Sequence, residues 1–240
     1  YHHRNCTDGK IRIIATVKNT AEEAVTVTIG KKALAGPSAD ILQVGQQVVA
    51  NYLQNESKGT TITLAPGEEY ILNPGENPLQ IDDIAAALID VSSEKQVLYS
   101  IYSAPSDQDD FSTLQPLAKI NTHIRGTFPN ATIDLSYTVD GREQEKIIIG
   151  REDAYANYYL PGLDHLTGDS LVNNGNRGVL HNITIKAEQK VGVLRNPRGT
   201  IFQGVITGFD GQICKISNGG VMTGNREAVV LGVLEKGETK

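Results

Sequence analysis

The stretch KIRIIATVKNT, residues 10–20, decides the fold class. Ile11, Ile13, Ala15 and Val17 recur at every second position, with polar residues between most of them. A period of two is typical of a β-strand with one buried face. The next apolar stretch, AVTVTIG at 24–30, repeats the same period, so the chain opens with two amphipathic strands.

More strands follow, each bounded by a turn signal. TTITLAPGEEYILNP contains two strands separated by a Pro66–Gly67 turn. Two further apolar runs come before the polar stretch at 106–116. Six short strands with regular turns predict a sandwich of two antiparallel sheets, Ig-like or jelly-roll-like. The remaining predicted strands are AALIDV (86–91) and QVLYSIYSAP (96–105), the latter with Val97, Tyr99 and Ile101 on one side.

One segment of this first half has a helical period instead. In residues 38–55, apolar Ile41, Val44, Val48 and Tyr52 are spaced by three or four positions. Ser38 or Asp40 is suited to cap the helix start, which predicts a helix near 39–53. Gly45 in its interior weakens the helix by about 1 kcal/mol relative to alanine.

The division into domains follows from residues 106–116. This stretch joins an acidic run, Asp107, Asp109 and Asp110, to a final proline and has no periodicity, as expected of a solvated linker. The acidic run lacks the ligand ladder of an EF-hand, so no calcium site is predicted. We therefore expect an N-terminal sandwich domain over 1–105 and a C-terminal sandwich domain over 117–240.

The second half is also predicted to be β. Asp140–Gly141 and Asp210–Gly211 each separate alternating apolar runs, which is a strong signal for a hairpin. Strands are also expected at 179–185 and 190–195, paired as a hairpin around Ala187–Gln189. The long loop 151–178 is too long for an idle connection, which favours a functional role.

Composition and charge exclude several classes of protein. The chain has 240 residues, 39% hydrophobic and 21% charged, and a net charge of −6, so it can form a packed core. Residues 1–113 hold 8 basic against 15 acidic residues, a balance of −7, and the remainder holds 14 against 13. This distribution is opposite to that of a nucleic-acid binder or a protein that docks on anionic lipid. No apolar run is long enough to span a bilayer, so membrane insertion is not predicted.

The chain has two cysteines, Cys6 and Cys214, and no CxxC pair, so a structural zinc site is not expected. Cys214 shares a strand face with Ile216, which favours a buried free thiol. A disulfide between the two cysteines is the alternative, and it fits a secreted protein. Because the sequence starts at Tyr1, we expect that an upstream signal peptide has been removed.

Four short motifs stand out in the second half: HIRGTFPNA (123–131), DHLTGDS (164–170), NNGNRGVLHNITI (173–185) and NPRGTIFQGVI (196–206). They resemble the C-terminal region of secreted proteins of spore-forming Gram-positive bacteria, where a similar region often follows a copper-amine-oxidase-like N-terminal stalk domain without an oxidase site. The resemblance covers roughly residues 120–235 and implies an all-β fold and an extracellular, secreted or wall-associated location. The family has no defined activity to carry over.

The sequence has no recognisable catalytic motif. The five histidines form no HExxH pattern, and G-x-S-x-G, GxGxxG and P-loop motifs are missing. Nothing marks the three histidine ligands and the tyrosine-derived cofactor that copper amine oxidation needs. We therefore predict a protein that is not an enzyme and has no cofactor and no metal site.

Two groups of residues are candidates for binding. Tyr155, Tyr158 and Tyr159 form an aromatic loop suited to stack on a sugar ring or a partner, or else to cover the edge of a sheet. Polar clusters flank the hairpin expected at 179–195, whose pairing would bring them to one end of the sandwich. Arginines among amides suit a carboxylate, a sulfate or a sugar hydroxyl network. The polar candidates are Arg125, Asp164, His165, Asn174, Asn176, Arg177, Arg195, Asn196 and Arg198.

The polar clusters also have a structural interpretation. Gly175, Gly178 and the asparagines tolerate left-handed backbone, which is sufficient reason for a turn. Arg177 or Arg198 would then pair with Asp164 or Asp169 and pin the long loop.

Three functions stay open at this point. The favoured one is a non-catalytic extracellular module for cell-surface attachment or for recognition of a cell-wall glycan or a surface protein. The second is a purely structural spacer of a wall-associated protein. The third is a hydrolase or oxidase whose site has no sequence signature.

Overall fold

The computed structural model describes residues 1–73, 77–111, 113–115, 124–149, 159–197, 203–216, 226 and 228–239. These residues form β-strands and a single α-helix, which confirms the predicted all-β fold with one short helix. The chain divides into two compact units. The first contains Tyr1–Leu114, Pro197–Thr207 and Gly211–Asn225, and the second contains Gln115–Asn196, Gly208–Asp210 and Arg226–Lys240.

The elements are numbered in chain order. The first seven strands are β1 (His2–Arg4), β2 (Ile11–Asn19), β3 (Val25–Ser38), β4 (Thr60–Leu64), β5 (Glu69–Asn73), β6 (Ile84–Ser93) and β7 (Val97–Pro105), and helix α1 (Ile41–Gln54) lies between β3 and β4. The later strands are β8 (Thr132–Val139), β9 (Pro161–Leu163), β10 (Ser170–Val172), β11 (Leu180–Ala187), β12 (Val191–Arg195), β13 (Val205–Thr207), β14 (Ile213–Lys215) and β15 (Val229–Leu234).

The first unit is built on two antiparallel sheets. One has the strand order β1-β6-β3-β4 and the other β5-β2-β7. The predicted strands therefore form, and the alternation of apolar residues identifies their inner faces. The core between the sheets consists of Ala15, Val17, Val25, Val27, Leu64 and Leu72.

The Pro66–Gly67 turn carries the chain from one sheet to the other. It joins β4, which pairs with β3, to β5, which pairs with β2. Gly67 has φ of +76°, a left-handed conformation that glycine adopts without strain. The predicted turn is confirmed, and it links the two layers of the sandwich.

Helix α1 begins where the sequence predicted. The Asp40 carboxylate accepts hydrogen bonds from the backbone N–H groups of Leu42 and Gln43, both at 3.0 Å. Val44 and Val48 are buried against Ala33, Ile84 and Ala86 of β3 and β6. The helix therefore forms a third layer on the outer face of the four-stranded sheet.

Strand β2 is buried on both faces, which the sequence did not predict. Thr16, taken for an exposed position, is 1% exposed, and Ile14 on the same face is also 1% exposed. A strand with only one covered face would leave these side chains in water. The outer face of β2 therefore has a cover of its own.

The hairpin β13–β14 forms around Asp210–Gly211 as predicted, with Val205 opposite Lys215. Its strands belong to the first unit, whereas the sequence placed them in a C-terminal domain over 117–240. The physical reason is the buried side chain of Gln46 in α1. Its amide donates to the carbonyl oxygens of Gly204 and Ile216, each at 2.9 Å.

Pairing in the second unit departs from the predicted hairpins. Strand β8 pairs with β11 in parallel over eight residues, and β12 pairs with β15 antiparallel. The predicted hairpin around Ala187–Gln189 is therefore wrong, because its two strands belong to different sheets. The core of this unit contains Ile185, Ala187 and Leu234.

The hairpin predicted at Asp140–Gly141 is also wrong. Gly141 has φ of +72°, so a turn does form, but the described residues after it are not in a strand. The turn is closed locally, since the Asp140 carboxylate accepts from the Arg142 N–H at 2.8 Å and Glu145 accepts from the Asp140 N–H at 2.9 Å. Side-chain carboxylates therefore accept hydrogen bonds from the backbone N–H groups of the turn, in place of a pairing strand.

We predict that Gln46→Met loosens the β13–β14 hairpin. Methionine keeps the volume of the side chain but leaves the buried Ile216 carbonyl without this donor, which costs about 1–3 kcal/mol. The Gly204 carbonyl keeps its hydrogen bond from the Ile216 N–H at 3.0 Å. Chemical denaturation gives the change in stability, and hydrogen exchange locates it at residues 203–216. Gln43→Met is the matched control, because Gln43 is exposed on the same helix. Equal stability of the two variants would contradict this role of Gln46.

Candidate functional site

Residues 106–111, which we call the strap, lie on the outer face of β2 and β7. The Ser106 N–H donates to the Lys10 carbonyl at 3.0 Å, and the Phe111 ring stacks on Tyr102 with the centroids 5.4 Å apart. Arg12 of β2 donates to the Gln108 carbonyl and lies over the Phe111 ring, 5.6 Å from its centroid. These residues were predicted to be a solvated linker, but a guanidinium and an aromatic stack fix them on the sheet.

A groove of about 380 Å³ lies beside the strap on this outer face. We call it the outer groove. Residues of β2, β5 and β7 provide its floor, and the strap provides a wall. The lining residues are Lys18, Glu69, Leu98, Tyr102, Asp109, Asp110 and Phe111.

The polar groups of the outer groove are held in place by their neighbours. The Thr16 hydroxyl donates to Oε1 of Glu69, and the Tyr102 hydroxyl lies 3.4 Å from the same atom. Asp109 forms an ion pair with Arg12 at 2.5 Å. The groove thus combines carboxylate acceptors and one ammonium donor with apolar surface from Leu98 and the rings.

Sequence reasoning missed the outer groove for a clear reason. Lys18, Glu69, Leu98 and Tyr102 belong to three strands, and only the sheet order β5-β2-β7 brings them together. The one local signal was the phenylalanine at position 111, directly after the acidic run. An aromatic residue there is unusual for a solvated linker and has a partner in Tyr102.

In the second unit, two of the predicted site residues meet. Nη2 of Arg125 lies 2.8 Å from Oδ2 of Asp164, and Asp164 is only 1% exposed. The other carboxylate oxygen of Asp164 accepts from the Leu166 N–H at 3.0 Å. Arg125 therefore binds Asp164 in this loop. The structural interpretation named Arg177, whose side chain is exposed, or Arg198, which lies outside the described residues.

The asparagines of the same loop are also engaged by the backbone. The side chain of Asn173 accepts from the Arg177 N–H and donates to the Arg177 carbonyl, both at 2.9 Å. Buried Asn176 has φ of +46° and accepts from the Leu160 N–H at 2.9 Å. These amides close turns, which is the role that the glycine and asparagine content indicated.

The other predicted polar residues differ in exposure and in the contacts that they make. Asn174, His165 and the Arg177 side chain are exposed. Arg195 donates to the carbonyl of Asn196, and burial lowers the pKa of its guanidinium below the ordinary value. The expected convergence of the two clusters depended on a β11–β12 hairpin, which does not form. Arg198, Tyr155 and Tyr158 lie outside the described residues, and Tyr159 is half-buried.

The cysteines are free thiols in the structure. Cys6 and Cys214 are both exposed, so the predicted burial of Cys214 is wrong. Ile216 is buried directly after β14, but Cys214 within the strand is exposed to solvent.

Within the described ranges, no three His, Cys, Asp or Glu residues are grouped in a way that would hold a metal ion. In the same ranges, no helix is long and apolar enough to cross a membrane. No protein-family model, curated protein or solved structure matches the chain.

We predict that Arg125→Met destabilises the second unit by about 3 kcal/mol. The substitution removes the guanidinium that binds the buried carboxylate of Asp164, and breaking a buried ion pair is among the costlier changes in a protein interior. Thermal or chemical unfolding measures the loss, and Arg142→Met is the control because Arg142 is exposed. In the double variant Arg125→Met/Asp164→Leu the loss should be smaller than the sum of the single losses. A single variant as stable as the control would show that the ion pair does not hold the loop.

Proposed function

We propose that the chain is a non-catalytic recognition module that acts at a cell surface and binds a saccharide in the outer groove. The arrangement of carboxylates, one ammonium group and apolar surface in a groove of about 380 Å³ supports this proposal. Such a volume lies within the range of ordinary small-ligand sites. The resemblance to secreted proteins of Gram-positive spore formers supports the location outside the cell.

The chemistry of the groove matches that of a sugar ring. A pyranose has hydroxyl groups at its rim and apolar C–H surface on its faces. Glu69 and Asp110 offer acceptors to hydroxyl groups, Lys18 offers a donor, and Leu98 with the Tyr102 ring offers apolar contact. Because Thr16 and Tyr102 orient Glu69 in the free protein, little side-chain entropy is lost when a ligand binds.

The charge of the first half restricts the ligand further. Residues 1–113 have a balance of −7, and three carboxylates but one ammonium group line the groove. A polyanion such as a phosphate-rich wall polymer would be repelled. A neutral or amino-substituted saccharide is therefore the ligand class that this groove favours.

Sedimentation with insoluble peptidoglycan, chitin and cellulose tests the proposal, followed by calorimetry with the N-acetylglucosamine tetramer. The chain should bind at least one of these materials. Glu69→Gln and Lys18→Ala should each weaken binding by roughly tenfold or more, since hydrogen bonds to charged groups are worth about 1.5–3 kcal/mol. Melting temperatures should change little.

Glu56→Gln and Lys58→Ala are the matched controls, because both residues are exposed on the loop that follows α1. Binding that is lost equally in the control variants, or that is unaffected in the groove variants, would rule out the outer groove as the site. A chain that binds none of the three materials would instead be the structural spacer.

A further inference from the structure

Strand β7 lies at one edge of the sheet β5-β2-β7 in the described residues. It pairs along its whole length with β2, from Val97 opposite Asn19 to Pro105 opposite Ile11. In the described part of the chain, no strand pairs with its other edge. The nine residues VLYSIYSAP contain no charged side chain, whereas exposed edges in monomeric proteins usually contain one.

An apolar cleft of about 280 Å³ lies behind this edge, between β6 and β7. Ile89 and Val91 line it from β6, and Tyr99 and Ile101 line it from β7. Tyr99 is 50% exposed and Ile101 is 54% exposed, although both are on the inner face of their sheet. Inner-face side chains of a sandwich are normally covered on this side by a further strand.

The two layers of the first unit have unequal numbers of strands. Four strands form the sheet β1-β6-β3-β4 and three form the sheet β5-β2-β7 in the described residues. A fourth strand beside β7 would make the layers equal. Its backbone would use the outward N–H and C=O groups of β7, and every second side chain would enter the cleft.

The charges around β7 determine which side chains the added strand can carry on each of its two faces. The cleft has no charged side chain in its lining, so the inward positions of the added strand must be apolar. The outward positions lie beside Leu98 and Tyr102, on the side of the sheet where the strap carries Asp109 and Asp110. Basic side chains at these positions would lie near the carboxylates of the strap, which is electrostatically complementary.

We propose that β7 accepts an extended segment of a partner protein as a fourth strand, with apolar residues facing the cleft and basic residues facing the strap. Backbone hydrogen bonds to β7 would then provide the affinity, and the alternation of apolar and basic residues in the segment would provide the specificity. This proposal does not depend on a saccharide in the outer groove, because Ile101 lies on the inner face of the sheet β5-β2-β7, whereas Glu69 of β5 lies on its outer face.

The probe is the acetylated and amidated peptide TVKVKVT, whose seven residues span about 24 Å as a strand. Fluorescence polarisation should show saturable binding to the whole chain. Hydrogen exchange should show new protection of the β7 amides that point away from β2. Ile101→Lys should weaken binding by roughly tenfold or more, because it places a charge beside the apolar cleft. Ile81→Lys is the control, since Ile81 is 58% exposed in a turn.

Three further peptides make the result specific. A peptide with N-methyl groups at alternate residues cannot donate to β7 and should not bind. The scrambled peptide KVVTTVK should not bind, and replacing lysine by glutamate should weaken binding.

Equal binding of the N-methylated or scrambled peptide would overturn the proposal, since it would reduce the effect to unspecific hydrophobic contact. So would protection that appears away from β7. Sedimentation equilibrium tests whether a second copy of the chain occupies the edge instead. A dimer that the Ile101→Lys substitution dissociates would assign the edge to that second copy and overturn the proposal.

Discussion

The burial of β2 on both faces is the constraint on which the first unit depends. Its inner residues fill the space between the two sheets, and its outer residues Ile14 and Thr16 are as inaccessible as the inner ones. Arg12 extends from this strand to the strap and holds it through Asp109 and the Phe111 ring. The strap in turn forms one wall of the outer groove. A central strand with two covered faces thus creates both a stable core and the margin of a binding surface.

The same arrangement explains why β7 differs from β2. Both strands belong to one sheet, but among the described strands β7 pairs on one side only, and its inner-face residues Tyr99 and Ile101 are half exposed. Fully covered apolar side chains are each worth about 1.5–3 kcal/mol relative to exposed ones. In the described residues, the edge strand therefore has half-exposed apolar surface next to backbone groups that no other strand pairs with.

Local patterns predicted the local structure. The Asp40 cap, the Pro66–Gly67 turn and the Asp210–Gly211 hairpin all form, because residues close in sequence determine each of them. What failed depended on distant partners. Nothing near Asp140 shows that β8 pairs in parallel with β11, and nothing near Gln46 shows that its amide binds carbonyls about 160 residues further along the chain.

The candidate sites show the same difference between residues that local sequence indicates and residues that only long-range pairing brings together. The polar residues singled out from the sequence are rich in turn-forming types, and the structure uses Asn173 and Asn176 to close the backbone of the loop. Arg125 and Asp164 form the pair that holds it. The outer groove could not be read from any one segment, because the residues that line it become neighbours only through the pairing of three strands and the strap.

The most direct test of this account is a nuclear magnetic resonance titration of the ¹⁵N-labelled chain with the N-acetylglucosamine tetramer. If the outer groove is the binding site, the backbone signals that shift will cluster at Lys18, Glu69, Tyr102 and the strap, and Phe111→Ala will abolish the shifts while the chain stays folded. Shifts confined to the loop around Asp164 and Asn173 would contradict the assignment of the groove as the recognition site.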